Sequence, residues 1–171
     1  MNKNDQVTIR EQKVSDAPRF FEILSSPNFI HFSAKPKSLE EEIKFLEQNI
    51  LKKENNQEYN FAILFNNILV GGIGLKIDQK RSYIAEAGYF IDENYWGNNI
   101  ASSALKLLEA FAFDKHLVKR IELKIVTLNR SSEKVAIKCG YDKEGTAKQM
   151  LLINDKYYDC YLYAKINKKR H

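Results

Sequence analysis

The stretch of this chain that most limits its fold is residues 91–108, IDENYWGNNIASSALKLL, because the hydrophobic period changes inside it. Ile84, Phe90 and Ile91 belong to a run rich in β-formers, whereas Ile100, Ala104, Leu107, Leu108 and Phe111 recur at helical spacing. A strand therefore hands over to a helix across Trp96 to Asn99. The handover is made by Gly97, Asn98 and Asn99, residue types that tolerate positive φ. Such a turn lets consecutive backbone N–H groups converge in front of a helix N-terminus, and a point of that kind attracts phosphate.

Loops of this sort serve several nucleotide-binding families, and the surrounding chemistry narrows the choice. A Walker loop would end in Lys-Ser or Lys-Thr, and none is present. The loop holds neither Lys nor Arg, so a phosphate bound here would rest mainly on backbone N–H groups and the helix dipole. Gly72-Ile73-Gly74 lies inside a strand pattern and is followed by more β-pattern, which rejects a dinucleotide-binding fingerprint. Those glycines mark a bulge or close backbone packing instead.

The rest of the chain builds a single mixed sheet of about seven strands flanked by helices, an α/β (mixed α+β) class. Val7 and Ile9 suggest a first strand, after which Ser15 is placed to cap a helix carrying Pro18, Phe20, Phe21, Ile23 and Leu24. Residues 25–37 read as an exposed wall on the substrate side, with Phe29 and His31 at its centre. Ser38-Leu39-Glu40-Glu41 is a capping box that opens an amphipathic helix through Ile43, Leu46, Ile50 and Leu51. Residues 59–65 and 68–77 flank Asn66-Asn67 as a hairpin. Residues 82–91 form the strand that feeds the central loop, with Tyr83, Ala85, Ala87, Tyr89 and Ile91 on one face and Ile84, Glu86, Gly88 and Phe90 on the other. Ile121, Leu123 and Ile125 make a further strand ending at Asn129; with a helix between them, the two strands should be parallel neighbours. A second hairpin, residues 144–153 and 157–166 around Asn154-Asp155-Lys156, closes a domain taken as residues 1–171, with a basic tail at about 167–171.

Composition excludes more than it identifies. No apolar run approaches the roughly 18 residues of a membrane span, and the N-terminus lacks the apolar core of a signal peptide, so a cytoplasmic protein without a membrane partner is expected. Cys139 and Cys160 form no C-x-x-C, and His31, His116 and His171 are scattered, so no metal site is expected. A net charge of +5 permits an acidic partner such as a phosphate-bearing ligand, ribosomal RNA or another polyanion; Lys and Arg are spread through the chain and concentrate only from Lys165 to Arg170, a cluster that a frayed basic tail explains, so no direct nucleic-acid binding is expected. Nothing in it fixes the oligomeric state, a dimer included.

The sequence Tyr95-Trp96-Gly97-Asn98-Asn99-Ile100-Ala101-Ser102-Ser103-Ala104-Leu105 resembles the acetyl-CoA pyrophosphate loop of the GNAT N-acetyltransferases, whose core is Gln/Arg-x-x-Gly-x-Gly/Ala. Its flanks are most similar to the branch that acetylates ribosomal-protein N-termini at Ala or Ser. Asn99 stands where the family has its central Gly, and Asn is the non-Gly residue that enters left-handed conformations most readily. A second segment, Asn129 to Tyr141, is similar to the family's Asn-x-x-Ser/Ala-x-x-x-x-x-Lys-x-Gly-Phe. The resemblance implies the GNAT fold, acetyl-CoA as co-substrate, and direct transfer of acetyl to an amine. It implies that Phe90 and Ile91 offer backbone to the pantetheine arm, that Trp96, Gly97, Asn98, Asn99, Ile100, Ala101 and Ser102 surround the pyrophosphate, and that Asn129 meets the pantetheine or the substrate side. Many members protonate the leaving thiolate with a Tyr where this chain has Ala136; Ser132 is then the candidate acid.

An ammonium has no lone pair with which to attack a thioester, so some group must take a proton. Glu86, among small and apolar neighbours, is the candidate base and substrate contact. Three functions stay open: acetylation of a protein α-amine, acetylation of a small amine such as a polyamine or aminoglycoside, and non-catalytic binding of acetyl-CoA.

Overall fold

The computed structural model describes residues 6–32, 35–115 and 118–168. Most of the basic tail, as well as His116 and His171, lies outside the described residues. The elements run β1 (Val7–Glu11), α1 (Ala17–Leu24), α2 (Leu39–Glu54), β2 (Glu58–Phe65), β3 (Ile68–Ile77), β4 (Ile84–Ile91), α3 (Ile100–Lys115), β5 (Arg120–Val126), α4 (Arg130–Lys138), β6 (Asp142–Ile153) and β7 (Lys156–Ile166). The strands form one sheet in the order β1-β2-β3-β4-β5-β7-β6, and its one parallel pair is β4 with β5.

Local chemistry accounts for most of these boundaries. Asn66 and Asn67 have φ of 50° and 65°, the double positive φ of a hairpin turn whose twist matches its strands, and Asn154 and Asp155 repeat it at 48° and 58°. Ser38 caps α2 by accepting from the Glu41 N–H (3.3 Å), while the Glu41 carboxylate accepts from the Lys37 N–H (2.7 Å). Ser15 does not cap α1. It sits in a 3-10 turn, Val14–Asp16, and Asp16 takes the capping position, with its own carboxylate turned back to the Lys13 N–H (2.8 Å) and held by both Arg10 nitrogens (2.7 Å each).

The two sheet faces bury separate clusters. Ile100, Ala104, Leu105, Leu108 and Ala112 of α3 pack on Ile63, Ile73, Leu75, Ala85 and Ala87. On the opposite face Ala17 and Phe20 of α1 and Leu46 of α2 pack on Ala62, with Phe90 against them. The glycines of β3 bring β4 close: a Cβ on Gly71 would stand 2.1 Å from the Phe90 carbonyl oxygen. β4 is thus held firmly on its β3 side, and the freedom lies on its other edge.

Candidate active site

Pairing between β4 and β5 covers Ile84–Arg120, Ala85–Ile121 and Glu86–Glu122, and then stops. Beyond Glu86 the two strands diverge, opening a cleft between the end of β4, the loop before α3, and α4. Its volume is about 610 Å³, within the range of sites that take a small-molecule ligand.

The alternation of an antiparallel ladder decides which backbone groups face this cleft. Asp92 N–H donates to the Val70 carbonyl (2.8 Å), so Phe90 and Gly88 turn their peptide groups toward β3, while Ala87, Tyr89 and Ile91 turn theirs toward β5. Phe90 therefore contributes its ring to the cleft wall, packed edge-on to Phe20 (5.4 Å) and Phe32 (5.6 Å), rather than its backbone. The Ile91 carbonyl accepts from the Trp96 indole N–H (2.7 Å), which ties the loop to the end of the strand.

At the loop, Gly97 has φ of 82° and Asn99 of 58°, the left-handed conformations expected from their residue types. The Asn99 carbonyl is the first acceptor of α3, taking the Ser103 N–H (3.1 Å) and the Ser102 hydroxyl (2.9 Å). Ser102 is buried and spends its hydroxyl there, so it can offer a ligand only its backbone N–H. The first N–H groups of a helix have no intrahelical partner, and those of Ile100, Ala101 and Ser102 lie at the cleft with Asn98 beside them. The loop thus gathers backbone donors without intrahelical partners at one end of the cleft.

Side-chain charge comes from across the cleft. Arg130, Lys134 and Lys138, spaced four apart on α4, all line it, and Lys138 Nζ donates to Asn99 Oδ1 (2.6 Å). Among the described residues lining the cleft there is no Asp or Glu. The sequence reading missed this stripe, although the i, i+4, i+8 spacing was there to be seen. The cleft has backbone donors at one wall, cations at the other, and apolar surface from Ile91, Ile100 and Val135 between, which suits an anionic ligand with an apolar arm.

At the inner end, Asn129 caps α4 by accepting from the Ser132 N–H (3.1 Å), which leaves the Ser132 hydroxyl without a capping role. The Ser132 hydroxyl pairs with the Tyr89 hydroxyl at 2.9 Å. Burial pushes the Tyr89 phenol up to about 12, against a smaller opposing effect of the Ser132 contact.

Two other expected residues, Phe29 and His31, both line the cleft. Phe29 is buried at 8% exposure, packed edge-on to Trp96 (5.9 Å) and Phe32 (6.4 Å), so it lines the cleft while bracing the loop and is not exposed as expected. His31 lines the cleft with its ring edge-on to Tyr158 (6.1 Å); its Nδ1 is buried without a hydrogen-bond partner among the described residues, and burial holds its pKa below the usual range.

Glu86 stands at the last paired position before the strands part, on the Phe90 face of the sheet and outside the cleft lining. Its Oε2 accepts from Lys124 Nζ (2.6 Å), and its side chain is 42% exposed. Among the described residues no cluster of His, Cys, Asp and Glu is placed to hold a metal, and no helix is long and apolar enough to cross a membrane.

A family model described as an acetyltransferase (GNAT) domain matches residues 6–142. The ribosomal-protein-serine acetyltransferase of Escherichia coli is 30% identical over 143 residues, 84% of this chain and 76% of that protein. Among solved structures, an acetyltransferase of Salmonella typhimurium that modifies the N-terminal serine of ribosomal protein L7/L12 aligns with a TM-score of 0.84 at 26% identity, covering 95% of each chain. The microcin C7 self-immunity acetyltransferase MccE, solved with acetyl-CoA and AMP, aligns at 0.85 with 23% identity over 96% of this chain and 94% of that one.

Proposed function

The chain belongs to the GNAT acetyltransferases, acetyl-CoA-dependent N-acyltransferases, and from that premise we propose that its acceptor is the α-amine of a protein N-terminus, a ribosomal protein in particular. The observation that carries this reading is the charge of the cleft. With Lys134 and Lys138 on its wall beside Arg130, which pairs with Glu133 of the same helix (3.2 Å), and no carboxylate among its described lining residues, it attracts a polyanionic co-substrate and repels a polyamine or aminoglycoside. An acceptor that brings one amine on an otherwise neutral or acidic chain meets no such penalty. Two relatives named for acetylating ribosomal-protein serine, one of them an N-terminal serine, support this choice.

Amine acidity points the same way. An α-amine with a pKa near 8 is roughly a tenth unprotonated at pH 7, whereas a lysine-like amine near 10.4 is less than about a thousandth free. A modest base therefore suffices. Acetyl-CoA supplies the activated acyl group. The backbone N–H groups of Ile100 to Ser102 and the cations of α4 hold its phosphates, the cleft-facing peptide group of Tyr89 pairs with its amide arm, and Asn129 sets the turn that presents Ser132. Ser132 donates toward the leaving sulfur. Glu86, at the fork of the strands and with only Oε2 engaged by Lys124, takes the amine proton through water. A second reading gives that role to His31, whose imidazole is kept neutral by burial and lines the cleft itself.

Acetyl transfer to a peptide beginning with Ser or Ala should exceed transfer to spermidine in kcat/KM, measured by CoA release. Glu86→Gln should lower kcat more at pH 7 than at pH 9, where the amine deprotonates unaided. A higher kcat/KM for spermidine removes the acceptor assignment. Loss of the same pH-dependent step in His31→Gln, with Glu86→Gln unaffected, transfers the base role to His31.

A further inference from the structure

Tyr89 is a half-buried side chain of the cleft whose hydroxyl the mechanism above does not use. Its position follows from the strand: odd-numbered residues of β4 face α3 and α4, and Tyr89 is the first of them, beyond the fork, long enough to reach α4. The contact it makes there joins residues 43 apart in sequence, Tyr89 Oη to Ser132 Oγ at 2.9 Å. Both residues line the cleft.

A serine hydroxyl has a single hydrogen and two acceptor lone pairs, so the direction of this bond decides what Ser132 can offer a ligand. If Ser132 donated to Tyr89, its hydrogen would point into the wall and only lone pairs would face the cleft, where negative charge collects on sulfur as the thioester breaks. If Tyr89 donates, the Ser132 hydrogen is free to turn to the sulfur. A phenol is the stronger donor of the two, and a donor chain ending on an anion strengthens each of its bonds.

Resting on the acetyl-transfer reading, we propose that Tyr89 is a positioning residue: it donates to Ser132 Oγ and so fixes the Ser132 hydroxyl as a donor to the leaving sulfur. As the amine nitrogen bonds to the acyl carbon, the carbon–sulfur bond breaks and its electron pair passes to sulfur. Ser132 hydrogen-bonds that thiolate, the amine proton leaves to the base, and the thiolate takes a proton from water on release. Burial keeps Tyr89 protonated throughout the neutral range, so the donor is present at every working pH.

The decisive measurement needs no acceptor. CoA bound to the intact protein is titrated through the ultraviolet absorbance of its thiolate, for wild type, Tyr89→Phe, Ser132→Ala and the double variant. In the wild type the bound thiol should titrate below free CoA; Tyr89→Phe should raise it by about one pH unit, Ser132→Ala at least as far, and the double variant no further than Ser132→Ala alone. In turnover, Tyr89→Phe should lower kcat about tenfold with KM within about twofold, and Ser132→Thr should retain sensitivity to Tyr89→Phe. Thermal melts identify any variant that loses its fold, in which case Tyr89→Leu with its CoA affinity intact replaces it. A bound thiol that titrates identically in wild type and Tyr89→Phe, or effects of the two substitutions that simply add, overturns the inference. Failure of the wild type to bind CoA overturns the acetyl-transfer reading and this one with it.

Discussion

Asn99 concentrates the strain of the cofactor loop in one residue, and replacing it with Val and with Gly separates backbone from side chain. Its φ of 58° lies where a side chain with a Cβ costs roughly 1–2 kcal/mol, and a β-branched side chain lies at the upper end of that range or beyond it. Asn offsets part of this by accepting from Lys138 Nζ at 2.6 Å, an exposed contact worth about 0.5 kcal/mol. Asn99→Gly removes both the strain and that contact, and should leave stability within about 0.5 kcal/mol of wild type. Asn99→Val keeps the strain, loses the contact and adds branching, for a loss of about 2 kcal/mol. For a chain of 171 residues that is a fall in Tm of roughly 4–8 °C. The same residue sets the aim of the N–H groups that follow it and supplies the first carbonyl of α3. If Val relieves its strain by leaving the left-handed region, those donors diverge and the Kd for CoA should rise at least about tenfold, whereas Gly should hold affinity within about threefold. Calorimetric melts and titrations with CoA give both numbers. Equal Tm and equal Kd for the two variants would refute the argument, because only the φ preference distinguishes them.

Gly71→Ala should be among the most damaging single-methyl changes in the sheet, since its Cβ would lie 2.1 Å from the Phe90 carbonyl oxygen and neither backbone can yield without breaking the β3–β4 ladder; about 3 kcal/mol in urea denaturation is expected, and a loss under 1 kcal/mol would show that the strands are not so close. Asp16 should shape the acid limb of the stability curve. Burial alone would raise its carboxyl, but the Arg10 guanidinium and the Lys13 N–H outweigh that and hold it below the ordinary range. Because the folded pKa is the lower one, this stabilisation is present above about pH 4 and is lost as pH falls through the folded value. Asp16→Asn should cost about 2 kcal/mol at pH 7 and flatten the loss of stability below pH 4; an unchanged acid limb in that variant would assign it to other carboxylates.

What could be read from the sequence was local in origin. The left-handed loop at Gly97 and Asn99, the Asn-Asn and Asn-Asp hairpin turns and the Ser38 cap each follow from what one or two residues permit their own backbone, and neighbours in sequence suffice to state them. Strand alternation likewise put Tyr89 and Glu86 on opposite faces of β4 before any contact was known. The parallel pairing of β4 with β5 followed from one crossover helix. Everything that depends on where two distant segments meet was decided by tertiary packing. That the pairing ends at Glu86 and opens a cleft, that Tyr89 reaches Ser132, and that Glu86 is held by Lys124 are contacts across 36 to 43 residues of chain or more, and side-chain type carries no record of its partner. Phe29 looked like an exposed wall because its loop is polar and proline-flanked, yet Trp96 and Phe32 bury it, since an aromatic ring gains more from apolar contact than the loop's own composition can indicate. The residue types of the loop specified a left-handed turn before α3; only the docking of α4 against it supplied the cations and the hydroxyl pair that complete the cleft.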